Sequence, residues 1–193
     1  AKVTLVNGAK ILNSETSPLD ADGNPLFVDS LNRPALAQSI RDLKSDEVIT
    51  VVVNHFKSKG SRDCEDHNDC DQGDGQGAYN QARTQAAQAM SLWLKTVPTG
   101  VKTENVLIMG DLNAYSKEDP IRTLQEAGYA TLKNEGDYSY VYYGQAGNLD
   151  HALASAAFAQ KVEQIQDWHI NTDEPKVLDY NTEYKTDAQI LNY

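Results

Sequence analysis

The sequence predicts a mixed α/β fold, and three observations carry that prediction. Val48-Ile49-Thr50-Val51-Val52-Val53 is β-branched throughout and reads as a buried strand. Val106-Leu107-Ile108-Met109 reads as a second one, stopped by Gly110. Between them Ala82, Ala86, Ala89, Met90 and Trp93 recur at helical spacing. Strands with intervening helices argue against an all-β chain.

In chain order, the first 30 residues hold an alternating pair, Val3 and Leu5. Turn formers follow at Ser17-Pro18, Asp22-Gly23 and Asn24-Pro25, so short strands and loops are expected. Residues 34–44 are ambiguous. Leu36, Ile40 and Leu43 fall at helical spacing, yet a strand follows after only a few polar residues. The helix after the polar loop starts near Asn80 as N-cap and ends before Pro98. Asp119-Pro120, then Ile121, Leu124 and Gly128, make a short helix with cap, N1 proline and C′ glycine. Tyr138–Tyr143 and Leu149–Ala154 read as strands paired around a turn at Gly144–Asn148, and Val162–Ile170 as a further strand.

At 193 residues the chain is one domain or one large piece of a bigger one. No internal repeat shows, and no stretch approaches the roughly 20 apolar residues of a membrane helix. No signal peptide opens at Ala1, as expected of a secreted protein after processing. The net charge of −11 argues against holding nucleic acid by charge alone, but not against an enzyme that meets phosphates through a bound cation. Two cysteines exclude a disulfide scaffold as the main source of stability.

Three segments place polar groups at the end of an apolar run: Val53-Asn54-His55, Gly110-Asp111-Leu112-Asn113 and Leu149-Asp150-His151. Sheet enzymes gather catalytic groups there, because the strand fixes a group that the following loop leaves open. Singly, each segment reads equally as a turn or a hydrogen-bonded core histidine. Together, with Asn54-His55-Phe56-Lys57-Ser58-Lys59-Gly60, Asp74-Gly75-Gln76-Gly77, Asn80 with Arg83, Gly144-Gln145-Ala146-Gly147 and Asp150-His151-Ala152-Leu153-Ala154-Ser155, they give a specific resemblance. The chain resembles the endonuclease/exonuclease/phosphatase superfamily, whose fold is that of pancreatic deoxyribonuclease. Within it, the sequence is most similar to secreted bacterial extracellular nucleases, and Trp168–Asn171 and Leu178–Asn181 share in the likeness.

The resemblance implies part of a four-layer αββα sandwich with mixed β-sheets, hydrolysing phosphodiesters with Mg²⁺ or Mn²⁺. It implies a nucleic-acid substrate, DNA ahead of RNA, low sequence specificity, an extracellular or periplasmic location, and neither a membrane nor an obligate protein partner. His55 corresponds to the strand-end histidine that contacts the scissile phosphate and moves a proton. Asp111 and Asn113 match the Gly-Asp-x-Asn pair at the metal and attacking water, and Asp150 matches the later strand carboxylate. Hard cations prefer such oxygen donors. His151 falls on the opposite strand face from Asp150 and is assigned a structural role. The family's early strands with their Asn and metal-binding Glu, and its terminal Ser-Asp-His, find no match. Residues 1–193 are therefore expected to be the middle and later part of one domain, weakly active or inactive alone.

The loop 61–77 sets Asp63, Glu65, Asp66, Asp69, Asp71 and Asp74 against Arg62. It reads as a solvated surface loop or a structural Ca²⁺ loop, though it fails the EF-hand spacing. Cys64, His67 and Cys70 lack a standard zinc spacing, and a Cys64–Cys70 disulfide is the preferred reading. Lys57 and Lys59, beside His55, are phosphate candidates, as are Asn80 and Arg83, which alternatively cap and tie their loop. Tyr138, Tyr140, Tyr142 and Tyr143 offer either base stacking or cross-strand packing. Two other functions compete: a same-fold phosphoesterase for lipid or sugar phosphates, and a non-catalytic Ca²⁺-binding or interaction module.

Overall fold

The computed structural model describes residues 2–134, 136–142, 144–169, 182 and 185–191. One six-stranded sheet carries the fold, in the order β1-β2-β3-β4-β8-β5. Its strands are β1 (Val3–Leu12), β2 (Arg33–Asp42), β3 (Val48–His55), β4 (Val106–Asp111), β5 (Tyr129–Leu132) and β8 (Asp150–Ser155). β3 and β4 run parallel, joined by helix α1 (Asn80–Lys95), and the other pairs are antiparallel. Helix α2 (Asp119–Glu126) precedes β5. β6 (Tyr140–Tyr142) and β7 (Gln145–Gly147) form a separate hairpin, and α3 (Ala156–Ala159) and α4 (Asp187–Leu191) are short.

Strand alternation divides the sheet into two unlike faces. Ala35, Ala37, Val52, Ile108 and Leu153 are fully buried, in one core with Ala86, Met90 and Trp93 of α1 and Ile121 and Leu124 of α2. Their alternates point the other way. Leu36, Val53 and Met109 are register partners across β2, β3 and β4 and stand 42%, 50% and 41% exposed. Both helices thus cover one face, and the opposite face presents an open apolar stripe.

Several expectations are corrected. Residues 34–44 are mostly strand, because Ala35 and Ala37 fit under the helices while Leu36 and Ile40 face outward, a period of two. Val48–Val53 is buried on one face only. The first 30 residues hold a full ten-residue strand. Tyr140–Tyr142 pairs with Gln145–Gly147, whereas β8 pairs with β4 and β5, so the expected hairpin is much shorter. Residues 162–169 form no strand, and Ile170 lies outside the described residues. Helix α1 is not capped by Asn80: its N-cap is Tyr79, and the Asp69 carboxylate accepts from the Gln81 and Ala82 amides at 3.1 and 2.8 Å. In α2 the N-cap is Glu118, one residue before Asp119.

Candidate active site

His55 ends β3, Asp111 ends β4 and Asp150 begins β8, which runs the other way. Pairing puts all three in one row: His55 opposite Asp111, and Asp111 opposite Asp150. Arg33, at the start of β2, is the register partner of His55 and extends the row to four strands. Directly opposed residues share a face, and here it is the open face, beside the apolar stripe. Reading across the strands, the row runs cation, imidazole, carboxylate, carboxylate.

Its contacts follow that order. Arg33 Nη1 lies 2.5 Å from His55 Nδ1. A guanidinium only donates, so Nδ1 accepts and the ring proton belongs on Nε2. That nitrogen is 3.5 Å from Asp111 Oδ2. Burial raises the pKa of Asp111 above the usual carboxylate range, and the negative charge of Asp150 opposite adds to the rise. The Asn113 amide opposes it, its N–H donating to Asp111 Oδ1 at 2.8 Å.

Asn113 is the brace of this carboxylate. Its Nδ2 donates to Asp111 Oδ2 at 3.2 Å and to the Phe56 carbonyl at 3.0 Å, tying the ends of β3 and β4 together. To do so it adopts φ +47°, a left-handed conformation that asparagine tolerates better than most residues. Gly110 has φ +134°, and a Cβ there would meet the Asn54 carbonyl oxygen at 2.1 Å. His151 lies on the helix side, buried, its Nε2 donating to the Ala114 carbonyl at 2.7 Å, and burial lowers its pKa.

The four phosphate candidates have other work. Arg83 is fully buried and donates to the carbonyls of Ala78 at 2.8 Å, Gln76 at 2.9 Å and Lys57 at 3.3 Å. Lys59 is paired with both oxygens of buried Glu118 at 2.6 Å. Asn80 donates to Asp119 Oδ2 at 3.1 Å, and the Lys57 ammonium sits 4.3 Å over the Tyr79 ring. The cation standing in the row is Arg33, which sequence reasoning missed. The signal was Arg33-Pro34 at a strand start, hidden by the ambiguous register of the segment after it.

Cys64 and Cys70 are disulfide-bonded, which removes their sulfurs from any zinc site. The acidic segment around them is held by nearby groups: Tyr79 Oη donates to the Arg62 carbonyl at 2.7 Å, and Asp71 and Asp74 accept from Gly73 and Gln76 amides. Among the described residues no group of three or more His, Cys, Asp or Glu is placed to hold a metal ion. The donors at the row still fit a hard divalent cation. Asp111, whose ionisation is made costly by burial and by the charge of Asp150, is a natural cation position, and Mg²⁺ takes one or two carboxylates, keeping waters and substrate phosphate for the rest.

The fold agrees with known structures. The catalytic domain of human Nocturnin, solved with a bound sulfate anion, superposes with a TM-score of 0.51 at 14% identity, over 80% of this chain and 48% of that one. An endonuclease/exonuclease/phosphatase family protein from Bacteroides thetaiotaomicron gives 0.50 at 13% identity, over 80% and 50%. The chain thus spans about half the length of these solved structures. None of the curated proteins matches it. The model of the Endonuclease/Exonuclease/phosphatase family matches residues 23–173, a span that takes in every member of the strand-end row. By that match and by its mixed, helix-backed sheet, the chain belongs to the endonuclease/exonuclease/phosphatase family.

Proposed function

We propose that this chain carries the catalytic centre of a secreted, divalent-metal-dependent nuclease that hydrolyses phosphodiesters, in DNA ahead of RNA, with low sequence specificity. The observation that supports it best is the four-strand row Arg33–His55–Asp111–Asp150, since a phosphodiester needs its charge neutralised and its protons moved within a few ångström. Asp111 and Asn113 would hold Mg²⁺ or Mn²⁺, Asn113 also keeping Asp111 in place through its two N–H donors, with the Asp150 carboxylate opposite. When bound, the ion offsets phosphate charge and acidifies a water. Arg33 supplies a second positive charge to a phosphate oxygen and orients His55, which holds its proton at Nε2, on the side of Asp111. The Cys64–Cys70 disulfide agrees with an oxidising, extracellular destination. Among the described residues no helix is long and apolar enough to cross a membrane.

Residues 1–193 are, on this reading, the middle and later part of one sandwich domain whose second sheet covers the open face. The exposed Leu36–Val53–Met109 stripe supports that, since a contiguous apolar patch of this kind marks a surface that another element covers. Activity then belongs to the intact domain. The test is plasmid nicking with Mg²⁺ or Mn²⁺ by the 193-residue chain, the intact domain and its Asp111→Ala variant. The expected result is nicking by the intact domain alone, abolished by EDTA. Release of phosphate or phosphocholine in place of nicking would move the substrate to sugar or lipid phosphates.

A further inference from the structure

Three segments outside the row meet at one buried point: Lys57-Ser58-Lys59-Gly60 after β3, Asp74-Gly75-Gln76-Gly77, and Glu118-Asp119 where α2 begins. Their centre is Lys59, whose Nζ donates to both oxygens of Glu118 at 2.6 Å and to the Gln76 carbonyl. The side chains of the pair are 22% and 7% exposed. Burial lowers the Lys59 pKa, and the Glu118 carboxylate opposes that. Gln76 holds the neighbouring residue too: its Oε1 accepts from the Asp119 amide and its Nε2 donates to Asp119 Oδ2, both at 2.9 Å. Gly77, at φ +70°, makes room for the Lys59 stem, since a Cβ there would lie 3.2 Å from Lys59 Cε. Taking such a pair out of water costs about what its attraction returns, and apolar residues of similar volume often serve stability as well. Stability is therefore a weak reason for the pair, and geometry a better one.

The geometry is that of a ring closed around the site. Lys59 follows His55 by four residues, and Glu118 follows Asp111 by seven. His55 and Asp111 are register partners, and the Phe56 amide donates to the Asp111 carbonyl at 3.0 Å. The two loops that leave these strand ends are thus joined at the sheet by backbone and further out by Lys59–Glu118. Lys59 Nζ also stands 5.4 Å from the centre of the Tyr115 ring, on the loop that carries Asn113. We propose that Lys59 and Glu118 are positioning residues of the row, a buried clasp that fixes the His55 loop against the Asp111–Asn113 loop. Neither is left to hold a phosphate, because Glu118 and Gln76 take the three donors of the ammonium. The Gly-rich loop is the third side of the clasp. Charge-assisted bonds set a direction that apolar contact does not. The proposal rests on the phosphodiester reading of the row for its effect on rate, and on geometry alone for its effect on His55.

The experiment compares the unaltered chain with two variants. Lys59→Met with Glu118→Leu replaces both charges, and Glu118→Asp keeps the charge but draws it back by one methylene. Ring ¹⁵N NMR, above the ordinary histidine titration range, reads the His55 tautomer in the 193-residue chain. Thermal melts read stability, and the amides of Val52 and Ile108, partners across β3 and β4, read the sheet. The unaltered chain is expected to hold one tautomer, with the His55 proton on Nε2. The double variant should melt within a few degrees of it and keep the sheet signals, yet show His55 exchanging between tautomers. Glu118→Asp should show the same change in smaller degree. In the intact domain the double variant should lower kcat by roughly 10²-fold with KM unchanged, the cost of a misplaced reacting group. Unchanged His55 signals in either variant, a raised KM at unchanged kcat, or a double variant that does not fold makes the pair merely structural and overturns the proposal. No hydrolysis by the unaltered intact domain would sink the phosphodiester reading instead, and the His55 signals would still decide the clasp.

Discussion

Asp111 is the side chain on which chemistry and stability pull against each other. Burial, with Asp150 opposite, raises its pKa, so holding it ionised costs the folded state. The cost is absent below the ordinary carboxylate range, where Asp111 is protonated folded or unfolded. It grows to its full value as the pH passes the raised folded-state pKa. Asp111→Asn is therefore expected to end metal-dependent activity in the intact domain while stabilising the chain by roughly 0.5–2 kcal/mol near neutral pH. Thermal melts across pH check this: the gain should vanish toward acid, and a gain independent of pH would contradict it. Arg33→Ala should lower hydrolysis by the intact domain by roughly 10²-fold with little loss of stability, because Arg33 is exposed and its side chain contacts His55. His55, Asp111 and Asp150 were legible in the sequence because each ends or begins an apolar run. Arg33 was not, since a cation at a strand start carries no such mark until the pairing of β2 and β3 is known.

The segments between strands show how distant residues replace local signals. The sequence placed a cap at Asn80, but α1 takes its cap from Asp69, held in place by the disulfide one residue on. Reducing Cys64–Cys70 should cost about 2 kcal/mol by loop closure. It should also speed hydrogen exchange at the Gln81 and Ala82 amides before the rest of the helix. Arg83 looked like a phosphate ligand because Asn-x-x-Arg opens a helix beside a Gly-rich stretch. Its guanidinium is instead the buried hub joining the loops at Lys57, Gln76 and Ala78. Arg83→Leu takes the donor from the Lys57 and Ala78 carbonyls, Gln76 keeping Lys59, and a loss of roughly 3 kcal/mol in urea melts is expected. The strands of the sheet centre were legible because β-branched runs of that length have few alternatives. β5 and β7 were not, since three or four residues carry no measurable period, while β6 lies inside the expected Tyr138–Tyr143 strand but takes a different partner.

The unlike faces of the sheet bear on how the molecule associates. One face is closed by α1 and α2, and the other leaves Leu36, Val53 and Met109 in contact with water. An exposed apolar stripe favours association. The chain alone is expected to sediment with concentration-dependent association, relieved by Val53→Lys with Met109→Lys at little cost in stability. A monomer at all concentrations would contradict the open face. The sequence could not show this openness, because a strand run such as Val51-Val52-Val53 reads the same whether one face or both are covered. The proposed divalent-cation centre at the strand-end row can be read without turnover. Mn²⁺ added in small amounts broadens the NMR signals of nearby nuclei, so the imidazole of His55 reports on the row and that of His67 on the acidic loop. The His55 signals are expected to broaden first, and Asp111→Asn to abolish the effect. Broadening confined to His67, or unaltered at His55 in Asp111→Asn, would contradict it.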